Sequence, residues 1–205
     1  DLTAGECIGA FGLTEPDGGS DPGAMNTYAR KEQHQWVLNG SKAWITNAPV
    51  ADLFLIWART EEGIRGFWVP RDTKGLETTE IKGKLAMRTS PTGNIFLDNV
   101  KTTYALKHPP GLGTPLKILN GARYGIAWGA LGAAQECYER AREYSIERNT
   151  FGGKLAEKQL VQESLAQMIT NISTAWSACI AIEEPYAPAV SLLKRNSTTV
   201  ALDVA

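Results

Sequence analysis

The sequence predicts an α+β chain: an antiparallel β-barrel-like domain over residues 1–110, then an incomplete helical bundle over residues 111–205. Three observations carry this. Before residue 108, short runs rich in β-branched and aromatic residues alternate with Gly, Pro, Asn and Asp. After His108-Pro109-Pro110-Gly111-Leu112-Gly113, the apolar period becomes helical. The last helical pattern stops at Ala205 with neither cap nor stop signal, which predicts that the bundle continues beyond this sequence.

The strands are expected at Ile8 to Leu13, Thr27 to Lys31, Trp36 to Leu38, Ser41 to Thr46, Asp52 to Ala58, Ile64 to Val69, Thr78 to Ile81 and Asn94 to Leu97. Asn39-Gly40 is the strongest hairpin signal, because this dipeptide accepts the positive φ of a type I′ turn. About 100 residues of such short strands suit an antiparallel barrel or sandwich.

In the helical half, Thr114 is a candidate N-cap with Pro115 at the first helical position. Leu119, Ala122, Ile126, Ala130, Ala133, Cys137 and Tyr144 follow at helical spacing. Gly121, Gly125 and Gly129 recur every four residues. Glycine is costly inside a helix, so the stripe implies close approach by another helix or by a ligand, and packing is its commoner use. Val161, Leu165, Met168, Ile172, Ala175, Cys179 and Ile182 form a bundle seam that ends before Pro185. A third helix starts near Pro188 and carries Leu192, Leu193, Val200 and Val204.

Composition narrows the chemistry. The 205 residues hold 21 Lys+Arg and 22 Asp+Glu, a net charge of −1, with no basic run, which argues against nucleic-acid binding by bulk electrostatics. No apolar run approaches the roughly 20 residues of a membrane span. Cys7, Cys137 and Cys179 are far apart, and only His34 and His108 are present, so neither zinc spacing nor a hydrolytic triad is supplied. The cysteines are expected as buried free thiols. No metal site is expected, and any chemistry belongs to an organic cofactor.

Two motifs are specific. Phe11-Gly-Leu-Thr-Glu-Pro-Asp-Gly-Gly-Ser-Asp-Pro22 ends a strand in a polar glycine-rich loop, which can bring amides and hydroxyls close to a ligand. Trp44-Ile-Thr-Asn47 ends another strand. At this spacing the two resemble the acyl-CoA dehydrogenase family, whose middle β domain carries a TEPxxGSD loop and an NGxKxWITN strand. Arg148-Asn-Thr-Phe-Gly152, followed by Gln159, resembles that family's RxxFG turn. Leu119 to Gly129, Ala51 to Phe54, Ile64 to Phe67 and Ser191 to Asn196 look like its glutaryl-CoA dehydrogenase branch. The resemblance covers nearly the whole chain.

That resemblance implies FAD. Phe11, Leu13, Thr14, Trp44, Ile45 and Thr46 would face the flavin. Thr14 would bond its pyrimidine side, Trp44 would pack on the ring system, and Thr46 would lie near the ring nitrogen that accepts hydride. Ser20 would face the pantetheine arm of an acyl-CoA substrate. Arg148, Phe151 and Gln159 would reach the FAD of a neighbouring subunit, Arg148 at its pyrophosphate. Leu119, Asn120 and Arg123 would line the acyl-CoA channel, a role that can coexist with hydrogen bonds inside the bundle. The family further implies a homotetramer, a dimer of dimers. It also implies electron transfer to electron-transfer flavoprotein, and a place in lysine and tryptophan catabolism in the mitochondrial matrix or the bacterial cytoplasm.

The reaction also needs a carboxylate on the substrate face opposite the ring. Most of the family places this Glu after the third bundle helix, in a Tyr-Glu-Gly-Thr segment expected beyond Ala205. A minority places it directly before the Arg that matches Arg123, and here that residue is Ala122. No catalytic residue is therefore expected within this chain. The loop acids Glu15, Asp17 and Asp21 belong to the flavin side. The N-terminal helical domain of the family has no counterpart in the sequence, and the connection from Glu183 to Ala189 is short. Two other readings stay open: a non-catalytic scaffold protein derived from this fold, and an acyl-CoA oxidase.

Overall fold

The computed structural model describes residues 2–184 and 186–205, which form two compact units dividing between Pro115 and Leu116. In the first unit seven strands run β1 (Gly9–Gly12), β2 (Tyr28–Glu32), β3 (Gln35–Thr46), β4 (Leu53–Thr60), β5 (Gly63–Pro70), β6 (Leu76–Glu80) and β7 (Thr92–Thr102). The sheet order is β1-β4-β2-β3-β7-β6, with β5 also paired to β4. Most pairs are antiparallel, but β1 and β2 both meet β4 in parallel. The chain after β7 returns along β5, where Trp68 N donates to Tyr104 O at 2.9 Å and Leu106 N to Gly66 O at 2.8 Å. These bonds curl the sheet back on itself, which is how a barrel removes its open edges.

The barrel encloses Leu38, Ile45, Phe54, Ile56, Phe67, Val69, Ile95, Leu97 and Val100. Strand β4 is buried on both faces, because the segment that reads as a linker packs over its outer one. Trp57 is fully buried there, with ring centroids 6.0 Å from Phe11 and 5.5 Å from His108.

The Asn39-Gly40 hairpin is not formed. Both residues lie inside the 12-residue β3, and the turn that joins β2 to β3 is Gln33-His34. The pattern misleads because Gly40 answers a different need. Its φ is 143°, and a Cβ there would come 2.6 Å from Thr27 Cα. Close packing demands the glycine here, and opposite it β7 carries an extra residue near Asn99, itself at φ 50°.

The helical elements are α1 (Gly113–Glu147), α2 (Gln159–Ile180) and α3 (Ala187–Val204). Pro185, before which α2 was expected to stop, lies outside the described residues. α2 buries Ile172, Ala175 and Cys179 from the expected seam, while Ile182 falls past its end. α3 buries Leu193, Val200 and Val204, but Leu192 points to solvent. The expected stripe of α1 is displaced by about one residue: Ala127, Leu131 and Ala134 are buried, and Ile126 and Tyr144 are exposed. Small residues suit either phase, so the aromatic contacts decide. Trp128 meets Trp176 edge-on at 5.0 Å, and the Tyr124 hydroxyl donates to Cys179 O at 3.4 Å. The glycine stripe is not used for packing in this unit either: nothing lies within 4 Å of a Cβ built at Gly121, Gly125 or Gly129. Cys179 is buried, Cys7 and Cys137 are half-buried, and all three are free thiols.

Candidate functional site

The first unit concentrates its irregular backbone at the C-terminal end of β3. Lys42 and Ile45 are both buried although they lie three residues apart, which a regular strand forbids because side chains alternate faces. An extra residue on β3 resolves this, since Lys42 pairs with Ile95 but Ile45 pairs with Gly93. Trp44 lies in the bulge at φ 59° with 65% of its surface exposed. A left-handed backbone is uncommon for so bulky a residue, and such outliers cluster at functional sites. Thr46 is exposed as well. Asn47 then closes the strand at φ 65°, its Nδ2 donating to Gly9 O at 3.2 Å and its N to Pro91 O at 2.8 Å.

The glycine-rich loop adjoins this strand end. Ala43 N donates to Thr14 O at 2.9 Å, so Thr14 lies one ladder position from Trp44. Phe11 and Thr14 are half-buried and Ser20 is exposed. Leu13 and Ile45 are 5% and 3% exposed, so their side chains belong to the barrel core and only their backbone can face a ligand.

Sequence reasoning gave no role to Lys42, which is fully buried and lies 2.8 Å from Glu15 Oε1. Glu15 also accepts from Asn26 N at 2.5 Å and Thr27 N at 2.9 Å. Burial raises the Glu15 pKa, but the hydrogen bonds from Lys42, Thr27 and Asn26 outweigh it and hold the carboxyl below its ordinary value. Burial lowers the Lys42 pKa, opposed by Glu15. Glu15 is thus an anchored carboxylate and no candidate base. The signal for the pair was the phase of β3: Lys42 lies four residues after the buried Leu38, so alternation turns it to the same inward face.

In the second unit, Arg148-Asn-Thr-Phe-Gly152 forms a two-stranded hairpin, β8 (Asn149–Thr150) with β9 (Gly153–Lys154). Its two-residue turn has Phe151 at φ 50° and Gly152 at φ 78°, the positive pair of a type I′ turn. Phe151 is 94% exposed at the tip. Arg148 and Gln159 are exposed beside it in the chain, at the end of α1 and the start of α2. Leu119 and Asn120 are half-buried and Arg123 is exposed, all in the first third of α1. From Arg123 to Glu147 the helix rises about 36 Å. The two groups therefore cannot serve the same end of one ligand. Ala122 is exposed and carries no acid. No cluster of three metal-ligating side chains occurs among the described residues.

Family models match almost the whole chain. The acyl-CoA dehydrogenase middle domain covers residues 10–100, and the C-terminal domain of the same family covers residues 110–205. A glutaryl-CoA dehydrogenase from Desulfococcus multivorans is 39% identical over 85% of this chain and 47% of its own length. The mitochondrial short-chain specific acyl-CoA dehydrogenase of Mus musculus is 40% identical over 85% of this chain and 44% of its own. A glutaryl-CoA dehydrogenase from Mycobacterium smegmatis, solved with FADH2, superposes with a TM-score of 0.95 at 43% identity, covering 99% of this chain and 55% of that one. The chain spans about half the length of the curated relatives it matches.

Proposed function

The chain belongs to the acyl-CoA dehydrogenase family, and on that premise we propose that it forms the flavin side and part of the helical side of an FAD-dependent acyl-CoA dehydrogenase of glutaryl type. Residues 1–110 would be the flavin-side β domain and residues 111–205 part of the helical domain. The observation that carries the reading is the bulged end of β3, which turns Trp44 outward at a backbone cost beside the Thr14 loop.

The residues fit the cofactor. An exposed aromatic face and the hydroxyls of Thr14 and Thr46 suit a flavin ring. The exposed guanidinium of Arg148 and the projecting ring of Phe151 suit the pyrophosphate and adenosine of a second subunit's FAD. Bound FAD would supply the two-electron acceptor for α,β-dehydrogenation of a CoA thioester. Each unit would contribute its own contacts: in the first, Thr46 would hold the ring edge and Ser20 would face the pantetheine arm; in the second, Leu119, Asn120 and Arg123 would line an acyl-CoA channel. The proton alpha to the thioester needs a carboxylate that these residues do not provide, since Ala122 is not an acid and Glu15 is tied down.

Glutaryl-CoA, with decarboxylation to crotonyl-CoA, is the proposed substrate on the motifs of α1 and on the M. smegmatis relative. The short-chain relatives are as similar in sequence, so a short-chain acyl-CoA is the second reading. Electron-transfer flavoprotein as acceptor, a homotetramer and a matrix or bacterial cytoplasmic location go with the same proposal. The full-length protein should purify yellow and bleach a dye acceptor with glutaryl-CoA; a colourless protein that binds no FAD would favour a scaffold role instead. Rapid reduction of oxygen without a dye would favour an oxidase. The 205-residue polypeptide alone should leave the dye unbleached, and steady turnover by it would overturn the assignment of the base elsewhere.

A further inference from the structure

The Glu15–Lys42 pair joins the two segments that carry the flavin-facing residues, one partner from each. The Lys42 ammonium donates to Glu15 Oε1 at 2.8 Å and to Leu13 O at 3.1 Å, so it grips the residues on both sides of Thr14. Thr14 itself is held by Ala43 N. Three successive loop residues are thus bound to two successive residues of β3, just before Trp44 and Thr46. The same carboxylate takes the amides of Asn26 and Thr27, closing the base of the loop that presents Ser20.

An apolar pair of similar volume would give the barrel comparable stability, because burying two charges costs about what their attraction returns. An apolar pair could not fix three backbone positions. We propose that Glu15 and Lys42 are positioning residues that set the Thr14 loop against Trp44 and Thr46, and that FAD affinity depends on them. This rests on the flavin reading above and adds a device to it.

The test uses Glu15→Gln, Lys42→Met and the double variant in the full-length protein. Apoprotein is titrated with FAD, and the visible circular dichroism of the bound flavin is recorded well below each unfolding midpoint. Each single variant should raise the FAD dissociation constant about tenfold or more, as small misplacements of binding groups do, and should alter the flavin dichroism. The double variant should recover thermal stability toward wild type without recovering FAD affinity. Lower midpoints with wild-type affinity and dichroism would overturn the proposal, since a purely structural pair behaves that way. Should neither single variant fold, the double variant decides, and its failure to fold would also overturn the proposal. A wild-type protein that binds no FAD would instead sink the flavin reading, and this inference with it.

Discussion

Arg71 donates from Nη2 to the carbonyl of Ala48 at 2.6 Å. Its Nε donates to the Ala51 carbonyl, and its guanidinium carbon lies 5.2 Å from the Phe54 ring centroid. Ala48 and Ala51 are fully buried in the turn directly after Trp44-Ile-Thr-Asn47. One side chain from the end of β5 therefore satisfies two carbonyls that water cannot reach.

Arg71→Met should cost about 2–4 kcal/mol, because each orphaned buried acceptor carries its own desolvation penalty. Urea unfolding checks this. A loss below about 0.5 kcal/mol, the scale of an ordinary surface substitution, would show that the turn does not depend on Arg71.

Acid should weaken the β domain through Glu15. Its pKa in the folded chain lies below the ordinary value of 4.5, so the unfolded chain binds more protons between the two. The contribution of Glu15 is present above pH 4.5 and is lost as pH falls through the lower folded value. Denaturation curves from pH 7 downward should steepen in that window for wild type and flatten for Glu15→Gln; parallel curves would contradict the direction given.

Phe151→Asn should separate stability from cofactor retention. The left-handed backbone costs an ordinary L-residue about 1–2 kcal/mol and suits Asn better, and the exposed ring gives up no burial within this chain. Thermal scans should show a gain of roughly 0.5–1 kcal/mol while FAD is lost more readily on gel filtration. A fall in both would mean that the ring packs against protein instead.

Arg148→Ala should lower FAD occupancy in the full-length protein more than it changes the ratio of turnover on glutaryl-CoA to that on a short-chain acyl-CoA. Equal occupancy in mutant and wild type would count against the proposed placement of Arg148 at the pyrophosphate.

Much of this was legible beforehand for physical reasons. Most barrel strands were placed to within a few residues, because alternation of apolar side chains is imposed locally by the pleat, but β3 was divided in two and β7 was cut five residues short. The seam of α2 was read correctly since its large residues permit only one phase. α1 was misread where Ala and Gly permit several. Asn39-Gly40 failed for a related reason. The dipeptide fits a turn, but Thr27, just before β2, needed the space, and a chain read in order does not show its neighbours.

The sequence by itself determined the two-part architecture, the family and the residue types that suit a flavin, because motif chemistry and periodicity are written along the chain. The tertiary structure alone decided that Trp44 faces outward and that Lys42 and Glu15 face each other. The first depends on one extra residue in β3 relative to its partner β7, the second on the loop after β1 lying against β3, and neither exists until distant segments are paired.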